Sequence, residues 1–230
     1  MKVITWNIRH GGSARIPLIL NFLKSYIEYD VIVLTEVRNN KNLPELQKTL
    51  NLWGYTVEFR CDNSATNSVL IASRLEYSII ATEELGDHSH RVLHMDFGSF
   101  RLMGCYFPQR QEKSIVFEYI INKIERDKPL IVLGDFNTGK HLIDEDKASF
   151  YCAEYMDKLE ESGLIDMYRA LHPHAREFSW YSNSKNGFRI DHIFASEVFR
   201  ERLIDCRYIH NPREEKISDH SAMIIDIEKH

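Results

Sequence analysis

Short apolar runs recur along the whole chain, punctuated by polar residues. Val3 to Trp6, Val31 to Thr35, Ser68 to Ala72, Leu93 to Phe97, Leu102 to Phe107, Leu130 to Leu133, Arg189 to Phe194 and Ala222 to Ile227 are too short for independent helices and predict strands. Leu130-Ile131-Val132-Leu133 is continuous rather than alternating, the pattern of a sheet buried on both faces. Helical spacing appears between the runs. Ile16, Ile19, Leu20, Leu23, Tyr26 and Ile27 form one stripe, with Pro17 tolerated in its first turn. Ile115, Tyr119, Ile120 and Ile124 form a second, and Tyr151, Tyr155 and Leu159 a third that stops at Gly163. Two sheets packed face to face with helices outside would bury all these surfaces. No Gly/Ser-rich or Pro-rich linker interrupts the pattern, so residues 1–230 are expected to form one domain.

Polar residues that could carry chemistry fall where the apolar runs end. Asn7 follows Val3 to Trp6, and Glu36 follows Val31 to Thr35. Tyr106 closes the Leu102 run, and Gly134-Asp135-Phe136-Asn137 follows Leu130 to Leu133. Asp191 lies in a later strand, and Ser218-Asp219-His220 precedes the last one. Carboxylates at the ends of buried strands are costly unless paired, hydrogen-bonded or metal-bound. If these ends converge, Glu36, Asp135, Asp191 and Asp219 crowd one cleft, and such oxygen ligands suit Mg²⁺ or Mn²⁺ rather than Zn²⁺. Blander readings hold nearby. Trp6 and His192 are expected to pack in the interior or, for His192, at the surface. Asp144-Glu145-Asp146-Lys147 is read as a solvated loop or helix start. His88 and His90 in a polar loop are not read as a metal site.

The net charge of −5 excludes a wholly basic nucleic-acid coat but not a local cationic patch. Arg9, Arg38, Arg110, Lys140 and Arg189 each stand within a few residues of a strand-end polar group, and would ring the acidic cleft with cations suited to a phosphate-rich substrate. Cys61, Cys105, Cys152 and Cys206 are widely spaced, which disfavours zinc and disulfide frameworks and fits reduced thiols in the cytoplasm. No apolar run approaches the ~20 residues that span a bilayer, and no leader is expected, so membrane association is not.

Six motifs in order, Trp6-Asn7, Thr35-Glu36, Tyr106-Phe107-Pro108, Gly134-Asp135-Phe136-Asn137, Arg189-Ile190-Asp191 and Ser218-Asp219-His220, resemble the endonuclease/exonuclease/phosphatase superfamily of metal-dependent phosphoesterases. The resemblance runs from residue 6 to residue 220. It implies a four-layered α/β sandwich of two mainly antiparallel or mixed sheets flanked by helices. It implies that Glu36, with Asn7 beside it, holds the metal, and that Asp219 contributes through a water. Asp135 would orient or deprotonate the attacking water, with Asn137 as its companion. His220 would hydrogen-bond the scissile phosphate while Asp191 fixes its imidazole, and Tyr106 would donate to the phosphate or the leaving group.

Within the superfamily, Tyr106 and the stretch from Phe178-Ser179-Trp180-Tyr181 to Gly187-Phe188-Arg189-Ile190-Asp191 resemble the abasic-site branch. There, aromatics at the positions of Trp180 and Phe188 wall a pocket for an extruded sugar. Arg9, Val37-Arg38 and Gln109 depart from that branch, and Arg9 is closer to the pancreatic-type deoxyribonuclease pattern. The expectation is therefore a monomeric, Mg²⁺- or Mn²⁺-dependent phosphodiesterase, a nuclease acting on DNA or RNA by direct attack of water. Two rivals are a phosphatase or phosphodiesterase for small molecules or lipid headgroups, and a non-catalytic scaffold that binds phosphate-bearing partners. The scaffold predicts a lost catalytic residue, and none of the central set is missing.

Overall fold

The structure, a computed structural model, describes residues 1–125 and 127–229. The elements in chain order are β1 (Lys2–Asn7), α1 (Ile16–Lys24), β2 (Val31–Val37), α2 (Leu43–Leu52), β3 (Thr56–Phe59), β4 (Ser68–Ser73) and β5 (Ser78–Ile80). Then come β6 (Val92–Asp96), β7 (Arg101–Tyr106), α3 (Lys113–Asn122), β8 (Leu130–Asp135), α4 (Glu154–Glu161), β9 (Leu164–Asp166) and α5 (Met167–Leu171). The chain ends with β10 (Trp180–Tyr181), β11 (Gly187–Phe188), β12 (Asp191–Ser196), β13 (Leu203–Ile209), α6 (Asn211–Glu214) and β14 (Ala222–Ile227).

Two six-stranded sheets form, in the orders β13-β14-β1-β2-β4-β3 and β5-β6-β7-β8-β12-β9, with β10-β11 as a separate ribbon. Strand alternation divides the apolar side chains into three layers of core. Val3, Val33, Ile71, Leu102, Ile131, Ile193 and Ile225 meet between the sheets. Their neighbours Ile4, Ile32, Leu34 and Ile224 face the other way, against Ile19, Leu23, Leu46 and Leu50 of α1 and α2. On the second sheet, Met103, Val132 and Phe194 pack on Val116, Phe117, Ile120, Met156 and Leu159 of α3 and α4. The four-layered α/β sandwich expected from the sequence is the observed fold. Between the sheets, a Cβ on Gly104 would come within 2.8 Å of Val33 and 2.9 Å of Ile71, so a larger residue there would have to push those side chains aside.

Each sheet contains one parallel pair, β1 with β2 and β7 with β8, and every other pairing is antiparallel. α1 lies in the first crossover and α3 in the second, as βαβ connections require. β14 runs antiparallel to β1, and β12 antiparallel to β8. The C-terminal ends of β1, β2, β7 and β8 and the N-terminal starts of β12 and β14 therefore share one edge of the sandwich.

The predicted stripes correspond to α1, α3 and α4, although Ile115 of the second stripe is exposed and Tyr151 of the third lies before α4 and is exposed as well. Three expectations are corrected. Asp144 and Glu145 are buried rather than solvated. Arg189, expected at the substrate rim, is fully buried: its Nε lies 2.6 Å from Asp144 Oδ1 and its Nη2 2.5 Å from Asp166 Oδ2. The reason is local: β12 starts at Asp191, so strand alternation does not extend back to Arg189, which closes on Asp166 from the same side as His192. Lys140 is also spent on its own chain, in surface ion pairs 2.8 Å from Asp157 and 2.7 Å from Glu160 of α4.

Candidate active site

The strand ends do converge. The β2–β4 register slips between Leu34 and Val37, where two residue steps on β4 face three on β2. This bulge places Glu36 at φ 56 and turns its side chain out of the ladder into the cleft. Asn7 is fully buried at the end of β1. Its Nδ2 donates to Asp135 Oδ2 at 2.8 Å and to Glu36 Oε1 at 3.2 Å, so one amide bridges the two sheets. The Oδ1 of Asn7 accepts the Arg9 amide at 2.8 Å, which fixes the direction of the side chain.

On the second sheet, Gly134 holds φ 136, and a Cβ there would fall 2.0 Å from the Cys105 carbonyl oxygen. The glycine of the Gly-Asp-Phe-Asn motif thus lets β8 run close beside β7 while presenting Asp135. Asp135 Oδ1 accepts the Asn137 amide at 2.9 Å, and Asn137 adopts φ 53. Asn137 Nδ2 donates to the Phe107 carbonyl at 2.8 Å, and Gln109 Nε2 donates to Asn137 Oδ1 at 2.7 Å.

His220 is held from three directions. Its Nδ1 lies 2.8 Å from Asp191 Oδ2, which leaves Nε2 for the cleft. Its amide donates to Ser218 Oγ, which donates to the Asn7 carbonyl at 2.6 Å. Its carbonyl accepts the Trp6 indole N–H at 3.2 Å. The serine of Ser218-Asp219-His220 therefore anchors the motif to β1. Asp191 is fixed in turn: its amide donates to Ser179 Oγ at 3.2 Å, and its carbonyl accepts from Tyr208 Oη at 2.6 Å.

Burial dominates the electrostatics. It raises Asp135 well above the ordinary carboxylate range, helped by Asp191 and Glu36 and opposed by His220. Burial works against a charge on His220, but the carboxylates of Asp191 and Asp135 outweigh it and raise the imidazole. Burial, with Glu36 and Asp135 beside it, raises Tyr106 as well, so its hydroxyl stays a proton donor at neutral pH. That hydroxyl lies 3.4 Å from both Glu36 Oε1 and Asn67 Nδ2.

Glu36, Gln109, Asn137, Asp219 and His220 line a cleft of about 340 Å³, with Trp180, Phe188, Phe150 and Tyr151 as aromatic walls and Asn7, Asp135 and Asp191 buried behind it. The Trp180 indole N–H lies 3.4 Å from Asp219 Oδ2, and Arg9 Nε 3.8 Å from the same oxygen. Arg38 is half-buried at the margin, bonded to Asn67 and 3.0 Å from His10 Nδ1, while Arg110 is exposed at the start of a short 3₁₀ turn. Sequence reasoning missed Lys113, Ser149, Phe150 and Tyr151. Their place along the cleft depends on the course of the chain between the predicted elements, and neither spacing nor composition signals it.

The donor set fits a hard divalent cation. Glu36 and Asp219 present carboxylate oxygens at the cleft, Glu36 keeps some solvent access, and Asn7 stands behind Glu36 with its Nδ2 on the two carboxylates and its Oδ1 on the Arg9 amide. Asp135, Asp191 and His220 also bring one ligand atom each within 4.8 Å of one another, the one such group among the described residues. His220 Nδ1 is already committed to Asp191 there, which favours a hydrogen-bonding role for that group.

The sequence profile of the Endonuclease/Exonuclease/phosphatase family matches residues 4–220. The chain belongs to this family. It is 27% identical over 266 residues to the exodeoxyribonuclease III of Haemophilus influenzae, covering 97% of this chain and 98% of that one. Among solved structures, an AP endonuclease from Archaeoglobus fulgidus superposes with a TM-score of 0.86 at 22% identity, over 100% of both chains. A 3′ phosphatase from Neisseria, bound to a product DNA hairpin, superposes with a TM-score of 0.85 at 22% identity, again over 100% of both. The family is one of divalent-metal-dependent phosphoric ester hydrolases.

Proposed function

We propose that the chain uses Mg²⁺ or Mn²⁺ to hydrolyse phosphate esters in DNA, at abasic sites or at 3′ ends, by direct attack of water. The observation that carries this reading is the convergence of Asn7, Glu36, Asp135, Asn137, Asp191 and His220 on one cleft from two sheets. In this reading Glu36 and Asn7 hold the cation, with Asp219 acting through a water. When bound, the cation supplies charge neutralisation for the phosphate and lowers the cost of the departing oxygen. Asp135, dehydrated and oriented by Asn7 and the Asn137 amide, orients the attacking water and takes its proton. His220 donates from Nε2 to a non-bridging phosphate oxygen, and Asp191 holds the ring in that tautomer. Tyr106 donates its hydroxyl to the phosphate or the leaving oxygen, and Asn137 holds the water or a phosphate oxygen. Trp180 and Phe188 wall the space for the sugar, and Arg9, Arg38 and Arg110 engage the flanking backbone.

DNA as substrate follows the names of the relatives, which are deoxyribonucleases and abasic-site enzymes. A cytoplasmic monomer fits this reading. Among the described residues no helix is long and apolar enough to cross a membrane. The test is a panel of end-labelled duplexes, one with an internal abasic site, one with a 3′-phosphate and one unmodified, alongside inositol phosphates and sugar phosphates. Metal-dependent cleavage of one or more duplexes is expected. Turnover of the small phosphates alone would replace this reading with the small-molecule phosphatase.

A further inference from the structure

Lys113 opens α3 and is only 3% exposed, yet it lines the catalytic cleft beside Gln109, Asn137 and Tyr151. Lysine is almost never buried to this degree without a partner. The more exposed lysines Lys123, Lys128, Lys140 and Lys229 each pair with a carboxylate. Among the described residues, Lys113 pairs with none. Its Nζ stands 5.9 Å from the centroid of the Tyr151 ring, a distant cation–π contact. Burial lowers its pKa, against only Cys152 and Asp135.

Its place in the helix adds a second unfavourable term. The N-terminus of a helix carries partial positive charge and attracts anions, so a cation there is repelled. α3 is ten residues long and begins at Lys113. A lysine whose side chain is almost wholly buried, at the positive end of a helix, with its ammonium at the cleft and no carboxylate partner among the described residues, is an anion site awaiting its anion.

We propose that Lys113 is a phosphate ligand of the substrate, its ammonium donating to a non-bridging oxygen of a nucleic-acid phosphate in the cleft, with the N-terminus of α3 reinforcing the contact. This rests on the nuclease reading and adds a residue to it. The phosphate is either a terminal phosphomonoester or a phosphodiester of the strand. Two arms of one experiment separate them.

The experiment compares the parent with Lys113→Met, which keeps the length of the stem, and Lys113→Arg, which keeps the charge. Binding of a labelled duplex is followed by anisotropy in EDTA, where metal-dependent cleavage is silent. Lys113→Met is expected to weaken binding roughly ten- to a hundredfold, as for a lost hydrogen bond to a charged group. The slope of log K against log salt should fall by about 0.9, the signature of one lost phosphate contact. Lys113→Arg should restore most of both, and all three proteins should melt alike. A loss confined to a 3′-phosphate duplex assigns the contact to a terminal phosphomonoester, and an equal loss on an abasic-site duplex assigns it to a phosphodiester. Parent-like affinity and salt slope in Lys113→Met overturn the proposal. A parent that cuts no nucleic acid with Mg²⁺ or Mn²⁺ overturns the nuclease reading instead, and the anisotropy titration still decides Lys113.

Discussion

The two halves of the sandwich repeat one plan with opposite surroundings. In each, a parallel pair of strands ends in polar side chains, and an antiparallel neighbour starts beside them. The first half delivers Asn7 and Glu36, then Asp219 and His220. The second delivers Tyr106 and Asp135, then Asp191. Glu36 is turned outward by a bulge and keeps contact with solvent. Asp135 and Asp191 are buried, and behind them Arg189 closes a buried cluster with Asp144 and Asp166. One topology thus yields an open carboxylate suited to a hydrated cation and a dry one suited to moving a proton. The dielectric around each strand end, more than the residue type, separates the two roles.

The largest effect is expected in the dry half. Asp135→Asn keeps the shape and the Asn137 turn but removes the proton acceptor. Cleavage should fall by roughly 10²- to 10⁴-fold, the range for general acid–base groups, with the fold retained by circular dichroism. A parent-like rate would remove Asp135 from the chemistry. Arg189→Met tests the cluster behind it. Leaving Asp166 buried without its cation, and Asp144 with Arg169 alone, should cost about 3–5 kcal/mol in urea unfolding. A loss of activity at full stability would instead return Arg189 to the substrate.

The open half should respond differently. Glu36→Gln is expected to raise the metal concentration needed for half-maximal cleavage, with much of the rate recovered at saturating metal. A defect that no metal concentration relieves would contradict this division. The smallest effect per unit change is in pH. Burial holds His94 and His192 down to about 4, against the ordinary ~6.5. The unfolded chain takes up these protons below ~6.5 and the folded chain does not until near 4, so stability falls as pH drops through that window. Each histidine contributes about 1.4 kcal/mol per unit. The low carboxyls of Asp144 and Asp166 act in the same direction further down, their contribution being lost only below the ordinary carboxylate range. A urea midpoint that stays flat from pH 6.5 to 4 would refute the neutral buried histidines.

The central strands were legible because residues buried on both faces leave continuous apolar runs. The edge strands β3, β5 and β13 were not, since each is only partly covered and its alternation is diluted, and the fourth edge strand, β9, is only three residues long. Helix α2 escaped for the same reason, its apolar stripe being reduced to Leu43, Leu46 and Leu50. In the site, Asn7, Glu36, Asp135, Asp191 and His220 could be read because each stands at a strand end within a short motif. Arg189 and Lys140 misled because position along a strand does not tell which neighbours a cation will meet. Lys113 gave no signal, because nothing in its spacing tells that the start of α3 lines the cleft.

The division of labour between the halves is tested most directly by Mn²⁺ binding, followed by electron paramagnetic resonance, in the parent, Glu36→Gln and Asp191→Asn. The account predicts that Glu36→Gln loses tight Mn²⁺ binding while Asp191→Asn retains it. Retention in Glu36→Gln with loss in Asp191→Asn would move the cation to the buried Asp135, Asp191 and His220 group and contradict it.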